Sequence, residues 1–264
     1  MMWESRGPAG PAAVSDPTGE GHEAGVPSIR EPEVPAGVAR ATERVFAALS
    51  SARGRRIFHP QGIAFGGRLR VEAGLPGVPL FAGGAAHDVV LRFSRALGTP
   101  RGRPDFLGLA VRIAGEQDLL LASSAAAPLL RFVPRPARTF AGTTLTSLLP
   151  FDAGGRSVLV AARVQHARVA AEDQLAQLEA AAAVAPVGVA IVVAGAVSRW
   201  RRIATIDVGE RLSAAEARNL AFDPFVSAGG LVPRGRINAL RAPAYRGSRV
   251  GRAAPELRRA GPAR

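Results

Sequence analysis

The chain has no cysteine and no lysine, one tyrosine, two tryptophans and four histidines in 264 residues. Without cysteine there is no disulfide framework, no thiolate-bound zinc and no iron–sulfur cluster, so any metal must be held by His, Tyr or a carboxylate. Without lysine, all 34 basic residues are arginine, set in a background rich in Ala, Gly, Pro and Val. That bias weakens the net charge of +13 as a sign of nucleic-acid binding. Long apolar runs are also missing. "VAPVGVAIVVAGAV" (184–197) is too short and too rich in Gly and Pro to span a bilayer, and reads as a buried strand. The first thirty residues lack the apolar core of a secretory signal, which sets the expectation of a cytoplasmic protein with no membrane partner. No Gly-x-Ser-x-Gly elbow, phosphate-cradling Gly-x-x-x-x-Gly-Lys loop or dinucleotide fingerprint is present.

What is present divides into three parts. Residues 1–33 carry six acids against Arg6 and Arg30, with frequent Pro and Gly and no periodicity, and read as a flexible arm. Residues 34–255 read as one domain, and 256–264 as a basic tail. Within the domain, apolar spacing predicts a helix over about 34–51 and another over 170–184 with carboxylates in its first turn. Short runs rich in Val, Ile, Leu and Phe between Ile57 and Ser123, divided by Gly and Pro, predict an antiparallel sheet or barrel. "VGVAIVVAGAVSRWRRIATIDV" supplies two more strands, and "SAAEARNLAF" a short helix capped by Ser213 with Glu216 as the reciprocal acceptor. From Asp223 onward the reading is loop and helix.

Chemistry is concentrated at two places. The only tyrosine, Tyr245, lies four residues after Arg241 and seven before Arg252 in "RAPAYRGSRVGR". A phenol titrates near pH 10, a cation held against it lowers that value, and a phenolate is a good ligand for ferric iron. On a helix Arg241 and Tyr245 would share a face. The plain alternative is an ordinary aromatic among arginines scattered by composition, and Pro243 between them strains a simple helix. His59, in "RRIFHPQGIAFGGRLRV", is the one histidine in a strand-like apolar setting beside arginine; the alternative there is a satisfied core histidine.

Four segments, in order, resemble the haem catalases. "RRIFHPQGIAFGGRLRV" resembles their distal strand, and "VVLRFSRALGTPRGRPDFLGLAVRI" their Arg-Phe-Ser strand with the Asp-x-x-Gly loop and the strand after it. "DLLLASSAAAP" falls where that family has Asp-Leu-Val-Gly-Asn-Asn-Thr-Pro. "LAFDP" followed by "RAPAYRGSRVGR" is similar to its Ala-Phe-Asp-Pro and Arg-x-x-x-Tyr.

The resemblance implies an α+β protein built on a catalase-like antiparallel β-barrel with flanking helices, binding haem b. It implies Tyr245 as the iron ligand with Arg241 lowering its pKa, His59 as distal acid/base, and Ser94 bonded to the imidazole. Arg56, Arg92 and Arg252 would meet the haem propionates. The family's distal Asn has no counterpart: residues 118–128 contain no amide, and the position falls among Ala122, Ser123 and the alanines that follow. With the shorter chain, this points to a peroxidase that uses hydrogen peroxide or an organic hydroperoxide to oxidise small organic donors, with weak catalase activity at most. A homo-oligomer is expected, and nucleic acid is not.

Three alternatives stand beside it. One is a haem carrier or sensor without turnover. Another is an arginine-rich nucleic-acid-binding module, suggested by nine arginines against Glu256 in residues 232–264. The third is a metal phosphohydrolase built on the adjacent His87 and Asp88.

Overall fold

A computed structural model describes residues 61–100 and 102–234. The arm at 1–33, the helix expected over 34–51 and the tail at 256–264 lie outside the described residues.

Apolar residues at alternate positions give strands such as β1–β4 one apolar face, and a sheet with one apolar face can bury that face by curling on itself. The strands are β1 (Gln61–Val71), β2 (Ala86–Arg95), β3 (Leu107–Ile113), β4 (Gln117–Ser124), β5 (Thr144–Thr146), β6 (Phe151–Ala153) and β7 (Arg156–Gln165). They are followed by β8 (Val187–Ala194), β9 (Arg201–Arg211) and β10 (Leu231–Pro233). Eight of these, in the order β1-β2-β3-β4-β5-β7-β8-β9, pair antiparallel, and β9 returns to β1, so the sheet closes into a barrel. Strands β6 and β10 extend it from the side of β7.

The core is the barrel interior. Ile63, Phe65, Leu69, Leu91, Phe93, Leu109, Val111, Leu119, Leu145, Val160, Val189, Ile191 and Ile206 are buried in one cluster. Phe93 sits between Phe65 and Phe140 with edge-on ring contacts at centroid distances of 6.0 and 5.2 Å.

Helices are few among the described residues: α1 (Gln174–Val184) and α2 (Ala214–Asn219). The expected first-turn carboxylates on the longer helix are corrected. Helix α1 starts at Gln174, and Asp173 is its cap, with Oδ1 accepting from the backbone N–H of Leu175 and Ala176. A capping carboxylate offers the amides the same favourable charge from one position outside the helix. The capping box of Ser213 and Glu216 on α2 is present as read, and the cap's hydroxyl and amide together lower the Glu216 pKa.

The reading of loop and helix after Asp223 is also corrected as far as Arg234, where turns lead into β10. Its three residues find partners on β6, a long-range pairing that no local pattern announces.

Candidate functional site

The alternation that fills the barrel also decides what faces outward. On β2, Leu91 and Phe93 point into the core, so Arg92 and Ser94 point out. The same parity turns out Gly62 and Ala64 on β1, Gly108 and Ala110 on β3, and Leu120 and Ala122 on β4. Strand register then aligns them in two rows: Gly62, Ser94, Gly108, Ala122, and beside it Ala64, Arg92, Ala110, Leu120.

Five of the eight residues in these rows are Gly or Ala, the others being Ser94, Arg92 and Leu120, so much of this outer wall is backbone. Ala64, Ser94 and Gly108 are buried; Gly62, Arg92, Ala110 and Ala122 are half-buried. The hydroxyl of Ser94 donates to the Gly108 carbonyl at 3.3 Å, which leaves its lone pairs as acceptors. A Cβ on Gly62 would come within 2.8 Å of Arg92 Cζ and of the Phe93 carbonyl, so the missing side chain is what lets the Arg92 guanidinium lie across β1. Burial lowers the Arg92 pKa.

One border of the wall is a strap, residues 221–231, clamped to the β3–β4 hairpin. Asp118, fully buried, accepts both Arg112 Nε (2.8 Å) and Nη2 (2.6 Å), together with the Asp223 amide (2.8 Å). Arg112 also donates to the Ala221 carbonyl at 2.6 Å and lies 5.2 Å from the Phe222 ring centroid. Its hydrogen bonds to Asp118 raise its pKa. Gln117, also fully buried, uses both ends of its amide: Oε1 accepts from Leu231 N at 3.1 Å, and Nε2 donates to the carbonyls of Val226 (3.1 Å) and Leu231 (3.2 Å). The strap ends as β10, the last described element before Arg241 and Tyr245 in the sequence.

Of the residues singled out in the sequence, the structure brings Ser94 and Arg92 to one wall, and pairs Ser94 with Gly62, three positions after His59. His59, Arg56, Arg241, Tyr245 and Arg252 lie outside the described residues. Among the candidates for the missing amide position, Ala122 faces the wall. Ser123 does not: its hydroxyl donates to the Arg135 carbonyl at 2.7 Å and accepts from Leu107 N at 3.0 Å.

The two residues of the phosphohydrolase alternative have partners of their own. His87 Nε2 is 2.8 Å from the Leu80 carbonyl, and Asp88 is paired with Arg68 at 2.6 Å. No cluster of three or more His, Asp or Glu able to hold a metal occurs among the described residues.

Sequence reading missed Gln117, Asp118 and Arg112 as a clamp. The one local signal was two buried polar residues opening the strand "QDLLLASS".

The wall thus carries a guanidinium and a hydroxyl among glycines and alanines.

No family model matches the chain, and no curated protein matches it. Solved structures do. A fungal catalase aligns over 72% of this chain and 58% of its own at TM-score 0.49 and 11% identity. Catalase A from Saccharomyces cerevisiae aligns over 73% and 60% at TM-score 0.45 and 11% identity, and a bacterial catalase over 78% and 58% at 0.46 and 14%. The chain therefore spans less than two thirds of the length of each of these catalases.

Proposed function

We propose that the outer wall of β1–β4 is the distal face of a haem b site, and that the protein oxidises small organic donors at the expense of a peroxide. The observation that carries this reading is the register that sets Ser94 and Arg92 on one wall, with Gly62, three residues after His59, directly opposite Ser94. The four catalase-like segments in order supply the rest: Tyr245 as the iron ligand, Arg241 beside it, and Arg56 and Arg252 with Arg92 for the propionates.

Haem, when bound, supplies the redox chemistry that consumes peroxide and draws single electrons from a donor. The chain supplies binding and proton handling. Arg92, Arg56 and Arg252 fix the carboxylates of the group by charge and by paired N–H donors. Arg241, which cannot deprotonate, holds Tyr245 as phenolate. His59 takes a proton from one peroxide oxygen and returns it to the other, and the Ser94 hydroxyl accepts the second imidazole N–H, fixing the tautomer.

With Ala122 on the wall, residues 118–128 offer no amide donor to a bound peroxide. Removal of one preorganised donor costs about 100- to 1000-fold in rate. Dismutation, which needs two peroxides handled well, suffers most, and an added organic donor takes over the second step. The carrier or sensor reading draws on the same feature, since a wall without that donor holds haem with little turnover. No helix among the described residues is long and apolar enough to cross a membrane; cytoplasmic placement and a homo-oligomer remain parts of this proposal.

The test is turnover. Full chain loaded with haem is expected to oxidise an electron-rich phenol on addition of hydrogen peroxide or an alkyl hydroperoxide, faster than free haem at equal concentration. Tight haem binding with phenol oxidation no faster than free haem would select the carrier reading.

A further inference from the structure

We propose that two loop tips on the barrel, 125–131 and 195–200, together form a docking surface for an anionic lipid bilayer. The first tip follows β4 and the second joins β8 to β9. They are locked together. Arg131, 1% exposed, donates through Nη1 to the carbonyls of Gly195 (2.9 Å) and Ser198 (3.0 Å), and its guanidinium lies 4.5 Å from the Trp200 ring centroid. Trp200 returns the connection, donating Nε1–H to the Ala126 carbonyl at 2.9 Å. Desolvation lowers the Arg131 pKa, as for a guanidinium whose hydrogen bonds go to carbonyls.

On this braced pair the chain exposes aliphatic side chains: Leu129 is 40% exposed, Leu130 57% and Val197 58%. Leu129 adopts φ 66°, a left-handed conformation that favours glycine, yet the position carries a large apolar side chain. The two tips and their flanking strands carry only basic charge along the sequence, and Glu72, which reaches β9 nearby, is paired with Arg202. Residues 119–151 and 180–206 contain no Asp or Glu, and Arg135, Arg199 and Arg201 are exposed.

Exposed aliphatics rimmed by arginine have few partners that satisfy both features. A second copy meeting the patch face to face would oppose arginine with arginine. Nucleic acid would answer the charge but leave the leucines and the valine in contact with phosphate and water. A lipid surface takes both, with aliphatic tips entering the acyl boundary, a tryptophan at headgroup level, and arginines on anionic headgroups. The expectation of no membrane partner from the sequence rested on the missing bilayer span, and a surface contact needs none.

The experiment is co-sedimentation of the full chain with vesicles of phosphatidylcholine alone and with a share of phosphatidylglycerol. It needs no haem, so its outcome is read separately from that of the proposed chemistry. Binding is expected with the anionic vesicles and at least about fivefold less with the neutral ones. L130S/V197S and R199S/R201S are each expected to lower binding about fivefold, with unchanged far-UV circular dichroism and melting temperature, because all four side chains are exposed, three on the loop tips and Arg201 at the first residue of β9. The nine arginines of 232–264 provide a rival source of vesicle binding. Binding that salt abolishes but neither double variant reduces would assign the effect to that segment and overturn the proposal. So would self-association removed by L130S/V197S, or binding to a homopolymer RNA that R199S/R201S removes while vesicle binding is unchanged.

Discussion

Asp105→Ala should destabilise the fold by about 3–5 kcal/mol, read as a lower urea midpoint with little change in slope. Asp105 is fully buried two residues before β3, and its carboxylate holds several groups at once. Oδ1 accepts the Leu97 amide and Oδ2 the Thr99 amide, each at 2.9 Å, while Oδ2 lies 3.5 Å from Arg95 Nε. Arg95, 3% exposed, also donates to Asp173 at 2.7 Å and to the Thr99 carbonyl. Alanine would leave two backbone amides without acceptors and remove one of two carboxylates from a buried guanidinium, and stranding buried donors and charge costs far more than an intact pair contributes. Asp105→Asn keeps an acceptor oxygen and is expected to lose less. A loss below about 1 kcal/mol for the alanine variant would mean that this end of the barrel is held by packing alone. The network bears on function because Ser94 immediately precedes Arg95, and because Asp173 at the far side of the network is the cap of α1.

The second large effect falls on rate. His59→Ala in haem-loaded protein should lower peroxide-dependent phenol oxidation about 10²- to 10⁴-fold, the usual contribution of a positioned acid/base. Haem content per chain should stay the same, because the histidine moves a proton and the arginines and Tyr245 hold the group. Ser94→Ala tests the same step more gently: with the imidazole free to turn, the loss should be smaller and the pH profile displaced rather than flattened. An unchanged rate in His59→Ala would remove the proposed proton path, whatever the protein binds.

Strand-forming segments were readable where side-chain alternation is strict or an apolar run is unbroken. "DVVLRFSRA" became β2, where alternation puts Leu91 and Phe93 inside, and "VGVAIVVA" became β8 as a continuous apolar run buried on both faces. Ser213 and Glu216 were readable because a capping box is closed within four residues. The start of α1 was misread, since a run of helix formers does not say whether Asp173 is the first helical residue or the cap. Barrel closure through β9 and β1 depends on residues far apart in the sequence, as does the clamp between Asp118 and Asp223, separated by 105 positions. The choice between Ala122 and Ser123 needed the strand's parity against the core, which puts Leu121 and Ser123 inside and Ala122 on the wall. Arg131 was counted only as part of the net charge; its burial beneath Trp200 follows from a loop contact with no local signature.

The central claim is that this chain ligates ferric haem through Tyr245, and a spectroscopic titration of the full chain with haem tests it most directly. The expected result is a Soret band that saturates at one haem per chain, with high-spin ferric features that Tyr245→Phe abolishes or shifts while the barrel's circular dichroism is retained. A wild-type chain that stays colourless, or a Tyr245→Phe spectrum superimposable on the wild type, would contradict it.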